Sequence, residues 1–383
     1  MTPAARLSAA IEILDRILAG APVEQTLTNW GRANRFAGSG DRHALRDLVF
    51  DALRHRRSYA ALGGGLTGRG LILGGVRAMG HDPAGLFTGV GHAPALLNGE
   101  PGHVPQGNEA LDVPDWLAEP LQRALGTDFG AVMTALQCRA PVFLRVNLAK
   151  ASVDAAQRAL AAEGIATRPV PWVDTALEVV GNERKLQNSA TYQAGLVELQ
   201  DASSQAVIAA LAIAPGMRVL DYCAGGGGKA LAMAALGATV DAHDIHPQRM
   251  RDLPARAARA GVTVRVVDGD LASGHYDLIL ADVPCSGSGS WRRDPAGKWA
   301  LTPEKLAATL AVQAQILEDC HALVRPGGAI AYATCSLLTE ENEAQVQTFL
   351  ARHPRWHLRQ QRRFSPLQGG DGFFVALLTQ ADS

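Results

Sequence analysis

The sequence predicts an α/β protein, with a doubly wound, mostly parallel sheet in its C-terminal half, a small α+β unit before it and an all-α front. Three observations carry this. From Met217 onward, strand-like and helix-like stretches alternate. Within them, Tyr276-Asp277-Leu278-Ile279-Leu280-Ala281-Asp282 is a nearly continuous apolar run, the mark of a strand buried on both faces. Earlier, Asp221-Tyr222-Cys223-Ala224-Gly225-Gly226-Gly227-Gly228-Lys229 sets a glycine loop between a strand and a helix, where backbone can approach a ligand closely.

Taken in order, residues 5–19 place Leu7, Ile11, Leu14, Ile17 and Leu18 at helical spacing. Asp41 reads as the N-cap of a second helix, running through Leu45, Leu48, Val49 and Leu53 to Arg57. The glycine-rich stretch 63–75 reads as a connector, and the Pro/Gly-rich stretch 99–114 as a linker out of the first domain. This puts a first domain at 1–115, a helical linker and small α+β unit at 116–200, and the large domain at 201–383. The middle unit combines helices near 116–125 and 132–138, a strand at 142–147, a helix at 152–162 capped by Ser152, and short strands near 166–170 and 176–180. A further strand at 196–200 and a helix at 203–213 lead into the large domain. There the strands are 218–221, 239–244, 263–268, 277–282 and 329–334, and the helices 229–236, 247–260, 303–324 and 340–352. Thr302-Pro303-Glu304 starts a helix with cap, proline and early acid, and Arg325-Pro326-Gly327-Gly328 stops it.

With 47% apolar residues and no apolar run of 18, the chain reads as soluble, with no membrane span. Its start lacks the apolar core of a signal peptide, and its five scattered cysteines form no CxxC pair, so a reduced, cytoplasmic protein is expected. A net charge of −1 confines any nucleic-acid binding to local patches. A metal site is not expected from cysteines so widely spaced.

Ligands of such sheets sit beyond the carboxyl ends of the strands. The glycine loop alone fits a dinucleotide, a phosphate or S-adenosylmethionine, although Ala230 after Lys229 removes the hydroxyl that a phosphate loop needs for magnesium. The next strand end offers Asp244 to ribose hydroxyls, and the third offers Asp268-Gly269-Asp270 to an adenine amino group. Three acids suit a neutral or cationic nucleoside better than a pyrophosphate. Cys285, in Asp282-Val283-Pro284-Cys285, and Cys335, in Thr334-Cys335-Ser336, then end two strands at the same edge, whereas Cys138 and Cys320 on helices read as buried structural thiols. Carbon 5 of a pyrimidine is a poor nucleophile until a thiolate adds to carbon 6. Such chemistry needs a reactive thiolate, a carboxylate gripping the base edge and a methyl donor facing it.

These stretches, with Glu341-Asn342-Glu343 and the ending Gly370-Asp371-Gly372-Phe373-Phe374-Val375-Ala376, resemble the Nop/Sun (Sun/Fmu) family of RNA cytosine-C5 methyltransferases. Leu144-Arg145-Val146-Asn147 and Gln200-Asp201-Ala202-Ser203-Ser204-Gln205 match motifs that precede the family's catalytic domain, so the likeness spans roughly 140–383. The front, with Gly40-Asp41-Arg42 and Leu48-Val49-Phe50-Asp51-Ala52-Leu53-Arg54, is similar to NusB-like RNA-binding domains, an arrangement that points to the bacterial small-subunit rRNA type. The resemblance implies a Rossmann-like S-adenosylmethionine-dependent methyltransferase domain. Cys223, Ala224, Gly225, Gly226, Gly227, Gly228, Lys229, Asp244, Asp268 and Asp282 would surround S-adenosyl-L-methionine. Cys335 would be the nucleophile, Cys285 the thiol that helps release product, and Asp282 a holder of the base. The family's Ala-Pro is Gly225-Gly226 here and its Thr after the lysine is Ala230, a looser loop that costs ordering entropy.

The implied substrate is a cytosine in RNA, most simply 16S rRNA, bound by a monomer. Arg145, Arg292 and Arg293 are the expected RNA contacts, with Arg54-His55-Arg56-Arg57 and Arg355, Arg359, Arg362 and Arg363 as further backbone candidates. The alternatives are a tRNA or other RNA cytosine methyltransferase, a nicotinamide-dependent oxidoreductase sharing only the glycine loop, and a non-catalytic RNA-binding assembly factor.

Overall fold

The computed structural model describes residues 1–269, 271 and 273–380, and it divides into two compact units. One holds Met1–Arg139 together with Trp291–Ala300, the other Ala140–Ser290 and Leu301–Ser383.

The first unit is helical. Pro3–Leu18 starts on Thr2, whose hydroxyl accepts the Ala5 N–H at 3.2 Å, and buries Ile13 and Leu14 against Leu45, Val49, Leu71 and Leu73. The next long helix runs Ser39–Arg54 with Gly38 as its N-cap. Asp41, expected as that cap, lies in the first turn, where it favours the helix dipole and pairs with Arg6 at 2.8 Å.

Two expectations fail here for physical reasons. Residues 63–75 are no connector, since Gly68–Ala78 is a helix packed on the helix Arg56–Gly63. Their glycines serve close approach: a Cβ on Gly74 would come within 1.9 Å of the Tyr59 carbonyl oxygen, and one on Gly63 within 1.8 Å of that of Gly70. We expect Gly74→Ala to destabilise the unit by about 1–3 kcal/mol, the usual cost of overpacking, despite the ~1 kcal/mol that alanine gains over glycine in a helix. Urea unfolding measures this, and a gain in stability would show that the helices can part. The second failure is the linker at 99–114. Asp112, in the left-handed region at φ +52°, is buried and accepts the Arg57 and Ser58 N–H groups at 2.7 and 3.0 Å. It also accepts the Ser58 hydroxyl and the Gln137 amide, both at 2.7 Å. The stretch therefore packs into the helical unit, whose compact body also takes in Asp115–Leu125 and Phe129–Gln137.

The second unit holds two sheets. Strands β1 (Val142–Val146), β2 (Ala166–Val170), β3 (Val173–Gly181) and β4 (Val197–Leu199) form an antiparallel sheet in the order β2-β3-β1-β4. The helix Val153–Ala162 packs on it, capped by the Ser152 hydroxyl accepting the Ala155 N–H at 3.2 Å.

The large sheet is built from β5 (Arg218–Asp221), β6 (Thr239–Ala242), β7 (Val264–Val266), β8 (Tyr276–Asp282), β9 (Val324–Thr334), β10 (Trp356–Phe364) and β11 (Phe373–Gln380). Its order is β10-β11-β9-β8-β5-β6-β7, with the five middle-sequence strands parallel and the last two antiparallel. On β8, Leu278 and Leu280 face one core and Ile279 and Ala281 the other, all at most 1% exposed. Each buried Leu or Ile contributes roughly 1.5–3 kcal/mol, which makes this strand the centre of the unit. The helix Pro303–Leu323 starts on Thr302, whose hydroxyl accepts the Lys305 N–H at 3.3 Å.

Candidate active site

The parallel strands deliver their carboxyl ends to one edge. β5 ends in Asp221 and leads into the glycine loop, and β6 is followed by Asp244. β8 ends in Asp282 and runs on to Cys285, while β9 leads to Cys335. Because Asp282 lies opposite Ala333 in the β8–β9 register, the two cysteine loops leave the sheet at the same height. The thiol sulfurs are 3.4 Å apart. The expectation that the two cysteines end neighbouring strands holds.

Lys229 Nζ donates to Asp282 Oδ2 at 2.6 Å and lies 5.1 Å from the centre of the Phe373 ring. Burial works against the ammonium, yet Asp282, with Asp221 and Cys335 beyond it, holds the Lys229 pKa above its ordinary value. Burial, followed by the Asp282 charge, pushes the Asp221 carboxyl up to about 7, while Lys229 acts the other way. Neither Asp221 oxygen makes a hydrogen bond of ordinary geometry, although the residue is 1% exposed. Burial, then the charges of Asp282, Asp221 and Asp244, raises the Cys223 thiol. At Cys285 the hydrogen bond to Cys335 and burial, then the charges of Cys335 and Glu341, push the thiol pKa above its ordinary value.

The glycine loop is held from below. Gly225 and Gly227 take φ of +52° and +79°, a region that L side chains rarely adopt, and Gly227 caps the helix Gly228–Ala235. A Cβ on Gly227 would meet the Leu253 side chain at 2.3 Å. Asp244 is 3% exposed, and its carboxylate accepts the Gly225 N–H, the His246 N–H and the Arg249 guanidinium, each at 2.9 Å. Asp244 thus braces the loop as well as standing where a ribose acceptor was expected. We expect Asp244→Ala to weaken S-adenosylmethionine binding about 10- to 100-fold, or about 1.4–2.7 kcal/mol, through the unpaired Gly225 N–H and the loosened loop. Titration calorimetry with the cofactor reads this directly, and an unchanged affinity removes Asp244 from the site.

Other expected residues stand differently. Asp268 is exposed just beyond β7, and Asp270, named with it, lies outside the described residues. Arg145, expected at the RNA, is buried, and its guanidinium donates to the Gly228 carbonyl at 2.6 Å and to the Gln200 side chain. Burial brings its pKa down to about 10, against the charge of Glu198. Its visible work is to brace the cofactor loop. Arg292 is buried in the helical unit, where its carbonyl accepts from Arg54 at 3.3 Å, while Arg293 is exposed. Cys320 is buried as expected, but Cys138 sits exposed at the end of its helix. Sequence reasoning gave no role to Glu341, Gln313, Ser286, Ser336, Arg249 or Phe373, whose importance depends on partners distant in the chain.

These residues fit S-adenosylmethionine. Neither oxygen of the buried Asp221 has an ordinary hydrogen-bond partner, which leaves that carboxylate to a cationic or amino-bearing ligand, and the glycines at 225–228 carry no side chain to keep such a ligand from the loop. No group of three or more His, Cys, Asp or Glu that could hold a metal is found among the described residues, and none of their helices is long and apolar enough to cross a membrane.

Comparison with known proteins agrees. Residues 208–379 match the family described as 16S rRNA methyltransferase RsmB/F, and residues 113–183 match the ferredoxin-like domain of RsmF/B-like methyltransferases. Ribosomal RNA small subunit methyltransferase B of Xylella fastidiosa is 37% identical over 288 residues, covering 69% of this chain and 68% of that protein. The chain thus spans about two thirds of that relative. Among solved structures, that of PH0851 is similar over 99% of both chains, with a TM-score of 0.79 at 24% identity, a likeness of fold. A methyltransferase homologue from Pyrococcus horikoshii covers 71% of this chain and 96% of its own, with a TM-score of 0.62 at 25% identity. The fold is that of an S-adenosylmethionine-dependent methyltransferase, S-adenosylmethionine is its cofactor, and the chain belongs to the RsmB/F family of 16S rRNA methyltransferases.

Proposed function

We propose that this protein methylates carbon 5 of a cytosine in 16S rRNA through a covalent link between Cys335 and carbon 6 of the base. The observation that carries the reading is the pair of thiols 3.4 Å apart at the ends of adjacent parallel strands, with the Lys229–Asp282 pair at the same strand ends.

In this reading the Cys335 thiolate bonds to carbon 6, the carbon 5–carbon 6 double bond opens, and its electron pair becomes available at carbon 5. The bound cofactor supplies the electrophilic methyl group that carbon 5 takes. Cys285, having passed its own proton to solvent once the Cys335 sulfur is bonded to carbon, takes the carbon 5 proton as its thiolate; the carbon 5–carbon 6 double bond re-forms and the Cys335 thiolate leaves. Cys285, its sulfur 3.4 Å from that of Cys335, thereby serves the release step. Asp282, with its charge balanced by Lys229, grips the polar edge of the cytosine. The target must leave its stack, at a cost of a few kcal/mol in a duplex and less in a loop. Asp221 and the glycine loop hold the cofactor, and Asp244 and Arg145 hold the loop.

Mapping 5-methylcytosine across 16S rRNA and tRNA, in cells with and without the gene, tests the substrate. One cytosine of 16S rRNA should lose its methyl group. A loss confined to tRNA, or no loss at all, overturns the proposal.

A further inference from the structure

The carboxylate of Glu341 is wholly buried, at the end of the turn Thr339–Glu341 between β9 and the helix Glu343–Arg352. A buried carboxylate is costly unless its lone pairs are met. Here the donors come from both cysteine loops. The Ser286 N–H reaches one oxygen at 2.7 Å, and the Gln313 amide reaches the same oxygen at 3.0 Å. The hydroxyls of Ser286 and Ser336 both donate to the other oxygen. Ser286 follows Cys285 and Ser336 follows Cys335. Gln313 also donates to the carbonyl of Pro284, on the other side of Cys285, at 2.9 Å. The next residue, Asn342, clamps the second loop by donating to the Ser336 carbonyl at 2.9 Å and accepting the Thr334 hydroxyl. Tyr332 fixes the turn itself, donating to the Glu341 carbonyl at 2.6 Å.

We propose that Glu341 is the positioning residue of the thiol pair: one buried carboxylate ties together the residues that follow the two cysteines, and so fixes the distance and orientation between their sulfurs. The proposal rests on the two-thiol reading above. Such placement matters because a misplacement of about 1 Å at reacting atoms costs on the order of 10²-fold in rate. Glu341 is also among the groups that raise the Cys285 pKa, after Cys335 and burial, which agrees with its closeness to the pair. Glu341 itself touches neither thiol in any hydrogen bond of the network and acts through the serines.

The test uses the full chain carrying Glu341→Ala or Glu341→Gln. For the alanine variant kcat should fall about 100-fold while KM for RNA and for cofactor stays within about threefold, with glutamine intermediate because it keeps one acceptor. Without RNA or cofactor, iodoacetamide should label Cys285 about tenfold faster in the variant, read by mass spectrometry against the exposed Cys138. Buried Cys320, unchanged in its labelling, reports that the fold has not simply opened. Should Glu341→Ala fail to fold, Ser286→Ala removes one hydroxyl from one loop and should lower kcat about tenfold. The proposal is overturned if a folded Glu341 variant keeps kcat within about threefold of the parent, if Cys285 labelling is unchanged, or if Ser286→Ala is silent. The labelling arm needs no substrate, so a wrong RNA target would leave it readable.

Discussion

Replacing Cys335 by alanine should abolish methyl transfer, lowering the rate on the order of 10³-fold or more, while cofactor affinity stays within about twofold. The thiol sits past the end of β9, half-buried, and its removal deletes one sulfur without touching the glycine loop, Asp244 or the Lys229–Asp282 pair. Carbon 5 cannot be activated without addition at carbon 6, so binding and reaction separate cleanly. Tritium transfer to 16S rRNA beside calorimetry with the cofactor gives both quantities. Substantial residual transfer by Cys335→Ala, with an inactive Cys285→Ala, would reverse the two roles and make the Pro-Cys loop the attacking one.

Cys285→Ala should give a different defect of similar size. Cys335 is still able to attack and carbon 5 to accept its methyl group, but the release step lacks its thiol. The enzyme should then complete about one turnover and remain linked to the RNA through the Cys335 sulfur. A denaturing gel separates this adduct from free protein, and the double variant with Cys335→Ala should lose it. Normal multiple turnover by the single variant removes Cys285 from the release step.

Much of this site could be read from residue order because its parts fall at strand ends. The apolar run of β8, the glycine loop after β5 and the two cysteines after β8 and β9 all sit where chain order and strand parity place them. Other parts had no such mark. β10 escaped because the residues between Trp356 and Phe364 are exposed on both sides of an edge strand, which leaves no alternation to read. The glycines at 63–75 pointed to a connector, since glycine disfavours helices, yet backbone-to-backbone contact at Gly63 and Gly74 reverses that preference. Arg145 looked like any arginine near a binding domain until its partners, Gly228 and Gln200, were brought beside it. Glu341 was part of a motif without a task, because its four donors come from three separate stretches of chain.

The residues Trp291–Ala300 follow the Cys285 loop directly, yet they belong to the helical unit. There Trp291 is 2% exposed, the Trp299 indole donates to the Leu53 carbonyl at 2.7 Å, and the Lys298 ammonium is buried beside Arg54. The chain therefore leaves the second unit just after the Cys285 loop and re-enters it ten residues later. No single cut can separate the two halves as they are built. A fragment starting at 140 would carry a tryptophan-bearing decapeptide stripped of its packing partners, tethered five residues from the Cys285 thiol. A deletion meant to isolate the second unit must therefore deal with two stretches of chain, Met1–Arg139 and Trp291–Ala300.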